Sequence, residues 1–171
     1  MLPGSAEAVH VANELGYKVF IITNQSGIAR GFLSEATLQE IHAELTRLLR
    51  NQNAHIDAIY YCPHFPESST PPYNIECDCR KPHTGMLRKA VEEFDVDLKR
   101  SFVIGDRLID IQTGNNAGTS TILVLTGYGK QELPFCDATG AQIDYVANDL
   151  SDAMQFVRQS TLRNPIPAPH P

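Results

Sequence analysis

Three cysteines and one histidine crowd into a short stretch of this chain: Cys62-Pro63-His64, then twelve residues, then Cys77-Asp78-Cys79. Three thiols and an imidazole form the donor set of a closed, four-coordinate zinc site, because Zn²⁺ favours sulfur and nitrogen ligands in a tetrahedron. The second thiol pair runs directly into Arg80-Lys81-Pro82. A loop pinned by a metal would hold these two cations at a fixed place, which is how an anionic group is positioned. His83 lies close by but exceeds the four-ligand count and reads as a surface residue. Cys136, within Leu133-Pro134-Phe135-Cys136, stands apart and reads as a small apolar side chain.

Two other segments carry convergent polar groups. Thr23-Asn24-Gln25-Ser26-Gly27 offers hydroxyl and amide donors, and Gly105-Asp106-Arg107 offers a carboxylate able to hold Mg²⁺ beside a guanidinium. Each has a plainer alternative. Thr23-Asn24 suits a turn after a strand, Asp106 suits a helix N-cap, and Arg80-Lys81 suits a solvated pair. Asp149 and Asp152 read as surface or capping residues. Donors and cations that gather around one anion, beside a carboxylate for Mg²⁺, are the inventory of phosphoryl transfer.

The elements that must bring these groups together alternate between strand and helix. Residues 6–15 read as a helix stopped by Gly16. Residues 18–23 (Lys-Val-Phe-Ile-Ile-Thr) read as a buried parallel strand. Ser34 reads as the N-cap of a helix reaching Leu49. A strand follows over 56–61, then the Cys/His loop over 62–82, a helix over 85–94 and a strand over 101–104. A helix over 109–117, a strand over 121–125, a short edge strand at Tyr145-Val146-Ala147 and a helix from Ser151 complete the pattern. Such alternation implies an α/β fold with a parallel sheet, in which ligands sit beyond the carboxyl ends of the strands. The polar segments above all fall there.

Bulk properties narrow the class. The 171 residues suffice for one domain, here 1–162, and 42 % hydrophobic with 20 % charged residues is a globular composition. A net charge of −6 with no basic stretch argues against a nucleic-acid surface. No apolar run is long enough for a membrane span and no export signal precedes the first helix, so no membrane partner and a cytoplasmic location are expected. In that setting metal binding is favoured over the two disulfides that four cysteines would allow. Residues 163–171, with four prolines in nine positions, read as a disordered tail.

Four segments together resemble the haloacid dehalogenase superfamily of phosphatases. They are Thr23-Asn24-Gln25-Ser26-Gly27-Ile28-Ala29-Arg30-Gly31, Tyr61-Cys62-Pro63-His64, Cys77-Asp78-Cys79-Arg80-Lys81-Pro82-His83-Thr84-Gly85-Met86-Leu87, and Val103-Ile104-Gly105-Asp106-Arg107. Within the superfamily they look like the small-cap D-glycero-D-manno-heptose-1,7-bisphosphate phosphatases and the related histidinol phosphatases. The likeness runs over about residues 3 to 130.

The resemblance implies a Rossmann-like sheet with helices on both faces, a zinc-stabilised loop insertion and no large cap. It implies Mg²⁺ and Zn²⁺ as cofactors, with Cys62, His64, Cys77 and Cys79 on zinc and Asp106 on magnesium. Thr23 and Lys81 would stabilise the phosphoryl group, and Asn24, Gln25, Ser26, Arg80 and Arg107 would contact substrate. Asp110 would support the acidic end of the site. The implied reaction removes the 7-phosphate of a heptose 1,7-bisphosphate, in a nucleotide-heptose route to surface glycans. Histidinol phosphate is the alternative substrate, and the implied partner is a small sugar phosphate acted on by a monomer.

One part of the family pattern does not match. The family's first motif, Asp-x-Asp-Gly-Thr at the end of an N-terminal central strand, supplies the nucleophile and the general acid/base. The chain shows no such motif. Its one Asp-x-Asp, Asp95-Val96-Asp97, lacks both the preceding apolar strand and the Gly-Thr, and reads as a solvated loop. The first central strand is therefore expected to be absent from the fold as well. A catalytically inactive sugar-phosphate-binding remnant is the alternative from a different class.

Overall fold

The structure is a computed structural model that describes residues 1–163. Five parallel strands alternate with six helices: α1 (Ser5–Glu14), β1 (Phe20–Asn24), α2 (Glu35–Arg50), β2 (Ala58–Cys62), α3 (Gly85–Glu93), β3 (Phe102–Gly105), α4 (Leu108–Ala117), β4 (Ser120–Val124), α5 (Gly129–Thr139), β5 (Tyr145–Ala147) and α6 (Leu150–Arg163). A 3₁₀ turn spans Leu98–Arg100. The expected strands and helices are present, with ends displaced by a residue or two. Arg163 closes α6, and the remainder of the expected tail, 164–171, lies outside the described residues.

Local chemistry accounts for several of these boundaries. Ser34 Oγ accepts the Thr37 N–H at 3.0 Å and starts α2, while Arg47 and Arg50 face the negative end of the helix dipole. Asp106 is not the N-cap of α4. That place belongs to Arg107, whose N–H is taken by the Asp110 carboxylate one turn on. Asp149 takes the Asp152 N–H at the start of α6, a capping role. One helix, α5, is not apparent from the sequence: Gly127, Gly129 and Pro134 read as loop formers. Tertiary packing overrides them, because Cys136 and Leu133 on α5 pack against Ile111 of α4 and Leu123 of β4.

The strands form two sheets, β1-β2 and β3-β4-β5, that do not hydrogen-bond to each other. Side-chain alternation places the core of the second sheet on both faces. Ile122 and Val124 of β4 meet Ala8 and Ala12 of α1 and Met154 and Val157 of α6. Leu123 turns the other way, onto α4 and α5. In the first sheet Tyr60 of β2 and Phe20 and Ile22 of β1 meet Met86 and Ala90 of α3.

Between β1 and β3 lies an apolar slot of about 850 Å³, lined by Ile22, Ile104, Ala8, Val9, Leu87 and Ala90 among others. Its two walls are unpaired strand edges. Asp57 N–H binds Val19 C=O and Gln25 N–H binds Cys62 C=O, so the odd-numbered residues of β1 face β2. Phe20, Ile22 and Asn24 then turn their backbone groups toward the slot. Likewise Ser120 N–H binds Ser101 C=O, so Phe102 and Ile104 of β3 turn theirs toward it. Strands spaced about 4.8 Å apart in layers about 10 Å apart occupy about 160 Å³ per residue, so the slot has the volume of about five strand residues. It stands where a central strand is missing from the sheet.

Candidate functional site

The carboxyl ends of β1, β2 and β3 converge at one end of this slot. Lys81 sits at their centre. Its Nζ donates to Asp110 Oδ1 at 2.6 Å and to the Ile22 carbonyl at 2.9 Å. Lys81 and Asp110 expose only 12 % and 9 % of their side chains, so this ion pair is largely desolvated. Removing one member would leave the other charge buried and alone. The Lys81 backbone is fixed too. Its N–H binds Asn24 Oδ1 at 3.0 Å and its carbonyl accepts from Asn24 Nδ2 at 3.1 Å. The Asn24 amide therefore joins the end of β1 to the segment that leaves the Cys/His loop.

Around Lys81 the other polar groups fall into place. Thr23, between Ile22 and Asn24, accepts from Gln25 Nε2 at 3.1 Å. Ser26 follows in the same loop, where its carbonyl accepts the Arg30 N–H. Asp106 lines the slot beside Lys81 and Asp110. Its Oδ2 accepts the Tyr128 N–H at 2.9 Å, which leaves Oδ1 for a cation. Gly127 makes that contact possible: it has φ +61°, and a Cβ there would collide with the Asp106 carboxylate. Gly105 plays the same part for Asp110, whose side chain lies against it where a Cβ would stand.

The Cys/His loop brings its four side chains together. Cys62 Sγ lies 3.4 Å from Cys77 Sγ, and Cys77 Sγ lies 3.1 Å from Cys79 Sγ. His64 Nδ1 is 3.7 Å from Cys62 Sγ and 3.4 Å from Cys79 Sγ. All three thiols are free. A tetrahedron with metal–sulfur bonds of about 2.3 Å has edges of about 3.8 Å, so this group fits one four-coordinate ion. Burial raises the Cys62 and Cys79 thiols above their ordinary range, and their closeness to other thiols raises Cys79 further. A cation among them reverses that preference by stabilising the thiolates.

Several residues near the site carry no signal in the sequence. Glu35, at the first turn of α2, accepts from the Tyr61 and Tyr73 hydroxyls, each at 2.8 Å. These bonds hold its carboxyl below the usual range, Tyr61 most and Tyr73 next. One carboxylate thus ties α2 to the start of the Cys/His loop and to its middle. The Arg107 guanidinium lies over the Tyr128 ring, 4.3 Å from its centroid. Arg80 donates from Nη1 to the His64 carbonyl at 3.0 Å and lies over Phe65 at 5.4 Å. Arg30, from the loop after β1, lies over the same ring at 4.3 Å. Asp95 and Asp97 come before the amino end of β3 and follow no strand, and Asp97 caps the 3₁₀ turn by accepting the Lys99 N–H at 2.9 Å.

Known proteins are similar to this chain. A model of HAD-hydrolase-like proteins matches residues 78–153. The D-glycero-D-manno-heptose-1,7-bisphosphate 7-phosphatase of Chlorobaculum tepidum is 39 % identical over 153 residues, covering 86 % of this chain and 76 % of that protein. The D-glycero-beta-D-manno-heptose-1,7-bisphosphate 7-phosphatase of Escherichia coli K12 is 35 % identical over 159 residues, covering 92 % and 81 %. The chain belongs to the haloacid-dehalogenase-like phosphatase family.

Solved structures agree. The D,D-heptose 1,7-bisphosphate phosphatase of B. bronchiseptica, complexed with magnesium and phosphate, superposes with a TM-score of 0.79 at 37 % identity, covering 93 % of this chain and 84 % of that one. The Burkholderia thailandensis enzyme of the same name gives 0.67 at 33 % identity, covering 91 % and 84 %. In this phosphatase Asn24, Asp106 and Asp110 lie at or just beyond the carboxyl ends of parallel strands. Among the described residues, no helix is long and apolar enough to cross a membrane.

Proposed function

We propose that this phosphatase hydrolyses the 7-phosphate of a D-glycero-D-manno-heptose 1,7-bisphosphate, with magnesium for the chemistry and zinc in the Cys/His loop. The observation that carries the reading is Lys81. Its ammonium is held between Asp110 and the carbonyl of Ile22, the residue before Thr23, with Asp106 lining the same slot and the Cys/His loop directly before it in the chain. A fixed cation and hydroxyl can neutralise charge on a transferring phosphoryl group without reorganising during the reaction.

Asp106 would hold magnesium, which supplies charge neutralisation at the phosphoryl oxygens. Cys62, His64, Cys77 and Cys79 would hold zinc and fix the loop from which Arg80 and Lys81 project. In the reaction a carboxylate oxygen bonds to phosphorus as the phosphorus–oxygen bond to the sugar breaks and the sugar oxygen takes a proton. Water then cleaves the acyl phosphate and releases inorganic phosphate. Of the described carboxylates at the strand ends, Asp110 is paired with Lys81 and Asp106 is the one that would hold magnesium, so neither is assigned that attack. The upper end of the slot is where such a carboxylate would enter.

The lack of an Asp-x-Asp-Gly-Thr motif in the sequence favours one second reading, a sugar-phosphate-binding protein without turnover. Phosphate release from the heptose 1,7-bisphosphate with Mg²⁺ separates the two. Formation of heptose 1-phosphate supports the phosphatase; binding without release supports the second reading. Faster turnover of histidinol phosphate would overturn the choice of substrate.

A further inference from the structure

Arg30 and Phe65 have no part in the roles described so far. They come from different loops, Arg30 from the one after β1 and Phe65 from the one after β2, and they meet beside the site. The two guanidiniums of Arg30 and Arg80 both lie over the Phe65 ring, 4.3 Å and 5.4 Å from its centroid. Among the described residues no carboxylate forms an ion pair with either arginine. This is unusual placement in a chain with a net charge of −6. Two like charges thus gather at one ring with no carboxylate paired to either. The ring holds each guanidinium plane through cation–π attraction while leaving its N–H donors free at the edge.

The backbone reinforces the pair. The Phe65 N–H binds the Tyr73 carbonyl, and the Arg30 N–H binds the Ser26 carbonyl, so each loop is internally closed. Arg80 has one donor on the His64 carbonyl and others remaining. Lys81, the next residue, points back into the strand ends. The two adjacent cations therefore serve different places: Lys81 the reacting phosphoryl group, Arg80 a point further out where Arg30 joins it.

We infer that Arg30 is a specificity-determining residue and Phe65 its positioning residue: together with Arg80 they select substrates that carry a second phosphate. The inference rests on the proposed function and deepens it, because a bisphosphate offers one anion to Lys81 and a second to the arginine pair. Planar guanidiniums suit phosphate, which they can meet with two N–H donors at once.

The test is calorimetric binding of heptose 1,7-bisphosphate and heptose 7-phosphate to zinc-loaded protein without magnesium, so that no turnover intervenes. Wild type is expected to bind the bisphosphate more tightly. Arg30→Ala should weaken the bisphosphate about tenfold and change the monophosphate less than about twofold, as loss of a charged hydrogen-bond donor from only one complex requires. Arg30→Lys should recover part of the preference, because it keeps charge without the planar fork. Phe65→Leu keeps apolar volume but removes the aromatic face, and should lower the same ratio by about threefold. Zinc content at one per chain shows that each variant keeps its loop. If Arg30→Ala leaves the ratio of the two affinities unchanged, this inference falls and the proposed function stands. If wild type binds neither sugar phosphate, the proposed function falls and this inference with it.

Discussion

The two sheets of this protein are held in different ways. Around β4 the core closes on both faces, with Ile122, Leu123, Ala147 and Ala153 fully buried. Around β1 every residue is only half-buried, because one edge and part of one face border the slot. Polar links also steady β1: the Asn24–Lys81 exchange, the Lys81–Asp110 pair and a loop whose three thiols and one imidazole converge. One half rests on apolar burial on both faces, while the other adds these polar links to a single apolar layer, Tyr60, Phe20 and Ile22 against α3. The half that does chemistry is the one that gives up apolar packing, since cations and thiols cannot be placed inside a hydrocarbon core without partners.

Removing the metal should break this contrast most widely. Chelation, or Cys79→Ser, should strip hydrogen-exchange protection from residues 62–82 and lower the melting temperature, because metal affinity is folding energy for such a loop, on the order of 10 kcal/mol in small zinc domains. The amides of β4 should stay protected until global unfolding. Equal loss in both sheets would show that the halves are not separately held.

Lys81→Met comes next. It leaves Asp110 buried without its cation and should cost about 3–5 kcal/mol by denaturant titration. A cost under about 1 kcal/mol would mean that water reaches Asp110 and that the pair is not desolvated. In the other sheet, Leu123→Ala should cost about 3 kcal/mol through the cavity it leaves, while metal stoichiometry stays at one. Zinc loss in that variant would join the two halves more closely than their packing indicates.

Smaller effects sharpen the picture. Glu35→Gln keeps one acceptor for two phenols and should cost about 1 kcal/mol, with faster metal release to a chelator. Release at the wild-type rate would separate α2 from the metal loop. Acid should reveal the contrast with the least energy. Glu35 in one half and Asp152 in the other are both held below the ordinary carboxylate range, Asp152 chiefly by the Asn148 N–H. Their contributions are present above the unfolded values near pH 4 and are lost as pH falls through the depressed folded values. The metal loop has a further loss, because its thiolates take protons as the metal leaves. Followed by hydrogen exchange, acid unfolding should therefore begin at residues 62–82, at a higher pH than at β4.

Much of this was legible in the sequence, for identifiable reasons. Buried parallel strands read as short apolar β-branched runs, so β1 and β4 were plain. The Cys/His cluster was plain because donor type and spacing are local. Helix α5 was hidden: Gly127, Gly129 and Pro134 spell a loop, and only contact with Ile111 and Leu123 decides otherwise. Glu35, Phe65 and Tyr128 were hidden because each acts across loops that are distant in sequence, where no periodicity reports a meeting. Asp106 and Asp110 illustrate a finer limit. Both were visible as acidic residues after a strand, but that Asp110 meets both Lys81 and the Arg107 N–H, while Asp106 takes the Tyr128 N–H, depends on glycines at 105 and 127 that let carboxylates approach the backbone.

The apolar slot has a consequence for handling this protein at the bench. Fluorescent reporters such as ANS are bulky, flat and amphiphilic, and a lined recess of about 850 Å³ can house one. Their emission is commonly taken as the signature of a partly melted state. Here the intact native molecule should light up, so loosening has to be judged from near-ultraviolet dichroism instead.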